Sequence, residues 1–482
     1  MGMKLNDDRC YKAVKSRDSR FDGKFYTAVL TTGIYCRPIC PAVTPKRKNV
    51  VFYLCAAAAE EAGFRPCRRC HPEAAPGTPA WLGTGAVVSR ALRYINEGFL
   101  DERSVEELAL HVGLGDRHLR RLFREHLGTT PVAVAQTRRL HFARNLLTTS
   151  NLSMTDIAMA SGFGSLRRFN TLFKKAFAAP PSKFRKEPKE CVEDFILYKL
   201  PIRLPYDWQN LADFLAKRAI PGVENVGNKG LTYSRSISLG STIGTLSVEG
   251  PTKKKDYLTV RLALPSLDGA IKAVAIVRRM FDCNASPREI SRQLYNFAEI
   301  APLVKNRPGV RVPGAWDPFE LSVRAILGQQ VTVSAATTIS GRLVQEFGLP
   351  LPQEHCHKGL THLFPTPEKL ARADLSKIGL PKKRQATIST LAKAVASGEL
   401  ILDAPSGVDE FVERMSRLKG IGPWTAHYVA LRALSEPDAF PATDLGLCKA
   451  LSLTTKELSE KAESWRPWRA YCAMHLWHSL ND

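Results

Sequence analysis

The chain has no apolar run of 18 residues, so the sequence predicts no membrane-spanning helix. Its first twenty residues, Met1 to Arg20, are polar and lack the apolar segment of a secretory signal. No stretch is of low complexity. Acidic residues are few beside basic ones, 46 Asp and Glu against 69 Lys and Arg, a formal charge of +23. These absences argue against an integral membrane protein and a disordered chain. They place the eleven cysteines in a reducing cytoplasm rather than in a secreted disulfide scaffold. With 44% hydrophobic and 24% charged residues the composition is that of folded globular protein, and its length suggests about three or four domains. The basic excess is distributed. Residues 1–190 hold 32 Lys and Arg against 17 Asp and Glu (+15), and the remainder holds 37 against 29 (+8). Charge spread over both halves favours a nucleic acid as partner over a localised basic tail.

Four of the cysteines form a pattern. Cys36 and Cys40 lie in Thr31-Thr32-Gly33-Ile34-Tyr35-Cys36-Arg37-Pro38-Ile39-Cys40, and Cys67 and Cys70 in Phe64-Arg65-Pro66-Cys67-Arg68-Arg69-Cys70. C-x3-C, 26 residues, then C-x2-C can close a tetrahedral shell around one Zn2+. The arginines among them point that metal at a polyanion. A zinc-bound thiolate is deprotonated at neutral pH and is therefore also a nucleophile. The plain alternative is a closed site that only holds a small domain together. Cys10, Cys55, Cys191, Cys283, Cys356, Cys448 and Cys472 are scattered singly and are expected to be buried thiols.

The quartet region ends near His71-Pro72-Glu73, and Ala74 to Pro79 is expected to be a linker. Helical periodicity runs from about Ala86 to Phe184 and contains a repeat. Leu122-Phe123 is followed by Leu127 and Pro131; fifty residues on, Leu172-Phe173 is followed by Phe177 and Pro181. Upstream of each copy is a helix–Gly–helix signal, Val105 to Val112 with Gly113 and Thr155 to Ala160 with Gly162. This describes two helix-turn-helix units in tandem. Their second helices, Asp116 to Glu125 and Ser165 to Lys175, carry Arg117, Arg120, Arg121, Arg167 and Arg168 as candidate DNA contacts. A helical bundle with a solvated basic face is the alternative. Lys186 to Lys189 marks the next boundary. From Phe195 to about Leu264 the pattern alternates as in strands, flanked by helical runs near Asn210–Arg218 and Leu267–Phe281, and from about Pro318 the chain is helical.

The stretch Arg417-Leu418-Lys419-Gly420-Ile421-Gly422-Pro423-Trp424 is a hairpin between helical segments. Gly420 and Gly422 let backbone amides approach a phosphate. Further on, Asp444 follows Phe440-Pro441-Ala442-Thr443. Taken alone, Asp444 is as readily a helix N-cap as a catalytic carboxylate.

These segments resemble known families. Residues 5–75 closely resemble the N-terminal zinc domain of Ada-type alkylation-response proteins. That resemblance implies Cys36 as acceptor of a methyl group from a DNA methylphosphotriester, with Cys40, Cys67 and Cys70 as the remaining Zn2+ ligands. Ser161 to Arg185 resembles the signature of AraC-type transcription regulators. Hairpin plus downstream aspartate resembles the helix-hairpin-helix glycosylases, and about residues 195–482 resemble AlkA-type 3-methyladenine DNA glycosylase II. Pro205-Tyr206-Asp207-Trp208, Arg324-Ala325-Ile326-Leu327-Gly328-Gln329-Gln330 and Trp465-Arg466-Pro467-Trp468-Arg469 carry that likeness. It implies Asp444 as catalytic carboxylate and Trp424, Tyr428 and Trp477 as the walls of a base pocket, core packing being the alternative for each ring. Gln329 and Gln330 would lie where the family meets the duplex, with Gln330 where members often have an apolar wedge. Bifunctional relatives have a lysine where Trp424 stands, so strand-cleaving lyase chemistry is not expected. The Pro-Cys-His-Arg tetrapeptide of Ada's second methyltransferase domain is missing; His355-Cys356-His357 lacks its flanks.

The sequence thus implies a multidomain α+β protein. Its expected parts are a four-cysteine zinc domain (1–75), an all-α double helix-turn-helix domain (80–187), a small antiparallel α+β sheet domain (195–300) and an all-α helix-hairpin-helix glycosylase domain (301–482). One Zn2+ is the expected cofactor. Double-stranded DNA, at lesions and at a promoter, and RNA polymerase are the expected partners. No membrane contact, a monomeric state and a cytoplasmic, nucleoid location complete the expectation. A regulator whose glycosylase half only binds DNA is the competing reading.

Overall fold

The computed structural model describes residues 5–72, 75, 86–185, 195–252, 255–267, 269–356, 358–404 and 407–480. The expected linker at Ala74–Pro79, apart from Ala75, lies outside the described residues. So do the boundary at Lys186–Lys189, Cys191 and His357. The architecture is multidomain α+β. Two compact units divide the chain, residues 1–203 with 255–276 and residues 204–254 with 277–482.

The first unit begins with a four-stranded sheet. Val50–Tyr53, Tyr26–Val29 and Ile34–Cys36 are antiparallel, and Arg65–Pro66 adds in parallel beside Ile34–Cys36. Gly33, at φ +64°, makes the turn that sets Thr27 opposite Cys36. Helix Asp7–Lys15, capped by the Asn6 side chain, packs Cys10, Ala13 and Val14 against Phe25, Val50 and Phe52. Helix Ala56–Glu61 is four alanines followed by two glutamates. Ala56 and Ala59 enter the core around Tyr26 and Tyr35, while Ala57 and Ala58 enter the core of the helical region that follows. Small side chains let this one helix serve as a wall for both cores.

That helical region contains both expected helix-turn-helix units, Val105–His111 with Asp116–Leu127 and Met154–Ala160 with Leu166–Phe177. Ser104 with Glu107 and Ser153 with Asp156 close capping boxes at the first helix of each. Gly113 and Gly162 turn the chain at φ +76° and +77°. The sequence repeat is a core repeat. Phe123 and Phe173 are fully buried, as are Leu119 and Phe169 one turn earlier. Helix Pro131–Thr149, capped by Thr130, joins the two units. Strands Ile196–Pro201 and Tyr257–Ala263 pair antiparallel, and Tyr198 stacks on Phe142 of the long helix at 5.3 Å.

In the second unit, Glu224–Gly227, Thr232–Leu239 and Thr242–Glu249 form an antiparallel meander. Helices start earlier than the sequence pattern suggests, at Pro287–Leu294 and Ala301–Asn306. Both are too short to show a clear period. Helix Trp208–Ala216 lies between strands rather than beside the strand region. A two-residue strand pair, Leu349–Pro350 with His362–Leu363, was not signalled at all. Of the scattered cysteines, Cys10, Cys55, Cys283 and Cys472 are buried, but Cys356 is exposed and Cys448 half-buried. The expectation of uniform burial is corrected there. Cys356 follows a short 3-10 turn, and Cys448 lies on helix Leu445–Leu451, where only Leu447 is fully covered.

The meander is tied to helix Pro318–Leu327 by buried charges. Arg235 meets Glu320 at 2.7 Å, and Arg324 meets Glu224 at 3.0 Å and Glu320 at 3.4 Å. Tyr233 Oη donates to Glu224 at 2.6 Å. Burial alone would raise the Glu224 carboxyl, but Arg324 and Arg235 override it and hold it below the ordinary carboxylate value. Its stabilising contribution is therefore present above the ordinary carboxylate range and is lost as pH falls through the lower folded value. Removing one partner strands a buried charge, at a cost of about 3–5 kcal/mol. Glu320→Ala is expected to lower unfolding free energy by that amount. Urea unfolding followed by tryptophan fluorescence reads it, since six of the seven tryptophans lie in this unit.

Candidate functional site

Strand Ile34–Cys36 delivers Cys36 to the edge of the small sheet, and the turn after Arg65–Pro66 delivers Cys67 and Cys70. The four sulfurs of Cys36, Cys40, Cys67 and Cys70 all lie within 4.8 Å of one another, with Cys40 and Cys67 4.0 Å apart. A tetrahedral Zn2+ with bonds of about 2.3 Å needs sulfurs about 3.8 Å apart, so the residues fit the metal. The crowded thiols also compete for protons. Cys40 beside it pushes Cys36 well above the ordinary thiol range, and Cys36 in turn pulls Cys67 well below it. A divalent cation that replaces those protons relieves all four. The quartet forms a single Zn2+ site.

The sulfurs are not equivalent. Cys67 Sγ accepts from the Arg69 amide at 3.4 Å and Cys70 Sγ from the Arg37 amide at 3.3 Å, and the Ala42 amide faces Cys40. Cys36 receives no such amide among the described residues. Cys36 is half-buried, while Cys67 and Cys70 are buried. A cavity of about 620 Å3 opens on Cys36, Cys40 and Cys67, with Thr32, Arg65 and Arg69 on its walls. The arginines divide. Arg65, Arg68 and Arg69 are exposed, but Arg37 is paired with Asp22, its Nε 2.8 Å from the carboxylate. Arg37 therefore braces the knuckle rather than offering charge to a ligand.

Tyr35, next to Cys36, points the other way. Its hydroxyl donates to Glu60 at 2.8 Å. Glu60 also accepts from Thr137 at 2.6 Å and lies 3.3 Å from His141 Nε2, both on the long helix. Burial would raise Glu60, but His141 and the two hydroxyls hold it below the ordinary carboxylate value. Glu61 accepts from Thr129 at 2.5 Å and Thr130 at 3.3 Å, at the start of the same helix. Nothing in the local sequence signals these links. On the helix-turn-helix faces, Arg117, Arg167 and Arg168 are exposed and carry no ion pair among the described residues. Arg120 is engaged by Asp116 at 2.8 Å and Glu106 at 3.2 Å, and Arg121 sits 3.7 Å from Glu125.

The second unit presents the hairpin between helices Val408–Ser416 and Pro423–Arg432. Gly420 has φ +92°, and a Cβ there would lie 2.0 Å from Thr387 Oγ1, so only glycine fits. Gly422 begins the following helix in open space. Gln329 Nε2 donates to Gly420 O at 3.2 Å and to Thr425 Oγ1 at 3.1 Å, while its carbonyl accepts from Arg384 at 2.6 Å. Gln329 is thus fastened to the hairpin. Gln330 is exposed and left-handed, at φ +55°. That conformation costs a non-glycine residue about 1–3 kcal/mol and clusters at functional positions.

Asp444 is the helix N-cap that its sequence allowed. It caps helix Leu445–Leu451, with Oδ1 accepting from the Leu447 amide at 3.0 Å. It also accepts from two indoles, Trp477 Nε1 on Oδ1 at 3.0 Å and Trp424 Nε1 on Oδ2 at 2.7 Å. Trp424 and Tyr428 stack at 5.2 Å with planes 7° apart, and Tyr428 meets Trp477 edge-on at 6.4 Å. The carboxylate and three rings named from sequence therefore converge. Arg432, which the sequence did not single out, donates to Tyr428 Oη at 2.7 Å.

Comparison with known proteins covers both units. Residues 9–73 match the metal binding domain of Ada, 108–187 a helix-turn-helix domain, 197–317 the AlkA N-terminal domain, and 323–464 the HhH-GPD superfamily of base excision DNA repair proteins. A probable bifunctional transcriptional activator/DNA repair enzyme AlkA from Mycobacterium tuberculosis (strain CDC 1551 / Oshkosh) is 40% identical over 99% of this chain and 97% of its own. DNA-3-methyladenine glycosylase 2 of Escherichia coli K12 is 34% identical over 59% of this chain and 97% of its own. A 3-methyladenine DNA glycosylase from Archaeoglobus fulgidus shares the fold over 58% of this chain and 97% of its own, with a TM-score of 0.50 and 22% identity. With an Ada-type metal domain, a helix-turn-helix region and a base-excision domain in one chain matched along nearly its whole length, the chain belongs to the family of AlkA-type bifunctional transcriptional activators and DNA repair enzymes.

Proposed function

We propose that this chain excises alkylated bases such as 3-methyladenine from DNA by hydrolysing the N-glycosidic bond, and that it also takes a methyl group from DNA methylphosphotriesters onto Cys36, becoming a transcription activator. The observation that carries the excision reading is the fixing of Asp444 by two indole N–H groups and a helix-terminal amide beside stacked aromatic rings. Trp424, Tyr428 and Trp477 form the walls for a base flipped out of the duplex. Breaking its bond to C1′ builds positive charge on the deoxyribose. The Asp444 carboxylate, held without freedom to turn away, stabilises that charge. Water supplies the hydroxyl to C1′, its proton is lost to the carboxylate or solvent, and the base departs with the bonding electron pair. Trp424 offers no nucleophilic atom, so no Schiff base forms and the strand stays intact. Gln330 enters the gap left by the base, while Gln329 positions the hairpin whose Gly420 and Gly422 lie along the phosphates.

In the sensing half, Zn2+ when bound keeps the sulfurs deprotonated at neutral pH. Cys36 is the acceptor because, among the described residues, no amide N–H draws on its sulfur's lone pairs, and it lines the cavity. Its S–CH3 bond forms as the O–CH3 bond breaks, and the phosphodiester anion is the leaving group. One negative charge is thereby lost from the protein surface that meets phosphate. Arg117, Arg167 and Arg168 are the free DNA contacts of the recognition helices, and Arg120 and Arg121 reach phosphate only by leaving their carboxylates. We assign residues 1–75, 80–187, 195–300 and 301–482 to the four parts. Two recognition helices on one chain suit a monomer on a promoter in the nucleoid, with RNA polymerase as its protein partner.

Three outcomes are expected. Asp444→Asn loses release of 3-methyladenine from alkylated duplex DNA by about 10²–10³-fold at matched salt while binding the duplex as wild type does. Wild type that binds but releases nothing would leave the second unit a binding module. Methylated DNA adds one methyl group to the Cys36 peptide by mass spectrometry and raises promoter affinity at least about fivefold, the effect of removing about 1 kcal/mol of contact repulsion; Cys36→Ser abolishes both. Arg167→Ala lowers the slope of log affinity against log salt by about one, without changing the promoter's order of preference if the contact is to phosphate.

A further inference from the structure

Arg432 lies one turn after Tyr428 on helix Pro423–Arg432 and is 2% exposed. Its Nε donates to the carbonyl of Pro313, its Nη2 to that of Gly314 at 3.2 Å, and its Nη1 to Tyr428 Oη at 2.7 Å. The guanidinium also lies over Phe214 at 4.7 Å and over the Tyr428 ring at 5.5 Å. Among the described residues no carboxylate pairs with it. Its charged neighbours, Arg218 and Arg324, have its own sign. Among the described residues a positive charge therefore stands behind one wall of the base pocket, answered by two carbonyls, a phenol and two ring faces.

A guanidinium donates and never accepts. The Tyr428 oxygen must accept from Arg432, so its own O–H is left for another acceptor. A phenol that accepts from a cation is a stronger donor than a free one. Burial would raise the Tyr428 hydroxyl, but Arg432, Arg218 and Arg324 override that and make it more acidic than an ordinary phenol. The same charge opposes a second cation nearby and weakens the attraction of the ring face for one.

We propose that Arg432 is a specificity-determining residue: by clamping the Tyr428 hydroxyl it strengthens a hydrogen-bond donor in the base pocket and tilts excision toward neutral damaged purines that present an acceptor, at the expense of cationic N-alkylated purines. This rests on the base-excision reading. Arg432 acts through Tyr428 and is a positioning residue, not a catalytic one.

The test is single-turnover excision by the full chain from two duplexes, one with a single 7-methylguanine (cationic) and one with a single hypoxanthine (neutral). Arg432→Gln is expected to raise the ratio of cationic to neutral excision rates at least about fivefold, and Arg432→Lys, which keeps charge and donor, to leave it within about twofold. Tyr428→Phe shifts the ratio in the same direction, and adding Arg432→Gln to it brings no further shift. Equal loss of both rates in Arg432→Gln overturns the proposal, as does a ratio unchanged in Tyr428→Phe, the variant to rely on if Arg432→Gln does not fold. Wild type that binds both duplexes and releases neither base overturns the excision reading and this proposal with it. Wild type that releases both with an unchanged Arg432→Gln ratio overturns this proposal alone.

Discussion

A charge buried in protein persists only where groups of opposite polarity reach it, and much of this chain is arranged around that constraint. Glu224 and Glu320 are answered by Arg235 and Arg324, which join a sheet to a helix nearly a hundred residues away. Glu60 is answered by a tyrosine, a threonine and a histidine from two separate parts of the chain. Arg37 is answered by Asp22, and Arg432 by carbonyls and a phenol. Each set is a cross-link that apolar packing alone would not direct. Removing one member leaves the others stranded, so these contacts specify which elements meet.

The two groups proposed to react follow opposite versions of the same rule. Asp444, in the excision we propose, must stay in place while charge develops beside it, and it is gripped by three N–H donors. Cys36, as the acceptor we propose, must surrender a lone pair, and it is the one sulfur of its set that no backbone amide approaches among the described residues. Donors that orient a spectator charge would quiet a nucleophile.

What was legible in the sequence was local. The quartet was visible because ligand spacing is set by short turns. The helix-turn-helix pair was visible because Phe123 and Phe173 repeat with their flanking glycines and prolines. Gly420 was visible because only glycine tolerates its φ and its contact with Thr387. The same locality explains what could not be read. Arg37, Arg120 and Gln329 each have a partner, Asp22, Glu106 with Asp116, and Gly420 with Thr425, that only folding brings alongside. Arg432 left no trace because its carbonyl and phenol partners give no pattern in a one-dimensional reading. The helices Pro287–Leu294 and Ala301–Asn306 and the two-residue strands were too short for periodicity to register.

Helix Ala56–Glu61 has a consequence for how the first unit comes apart. Its alanines belong to two cores, and its two glutamates hold the start and middle of Pro131–Thr149. Segments that share a wall melt as one cooperative block. The free energy of metal capture, which favours only the folded form, is then shared with helices that never touch the ion. Metal starvation would silence the regulator by loosening its recognition helices. A gene cut between the cysteine region and those helices would yield two fragments, each missing a side of its own interior.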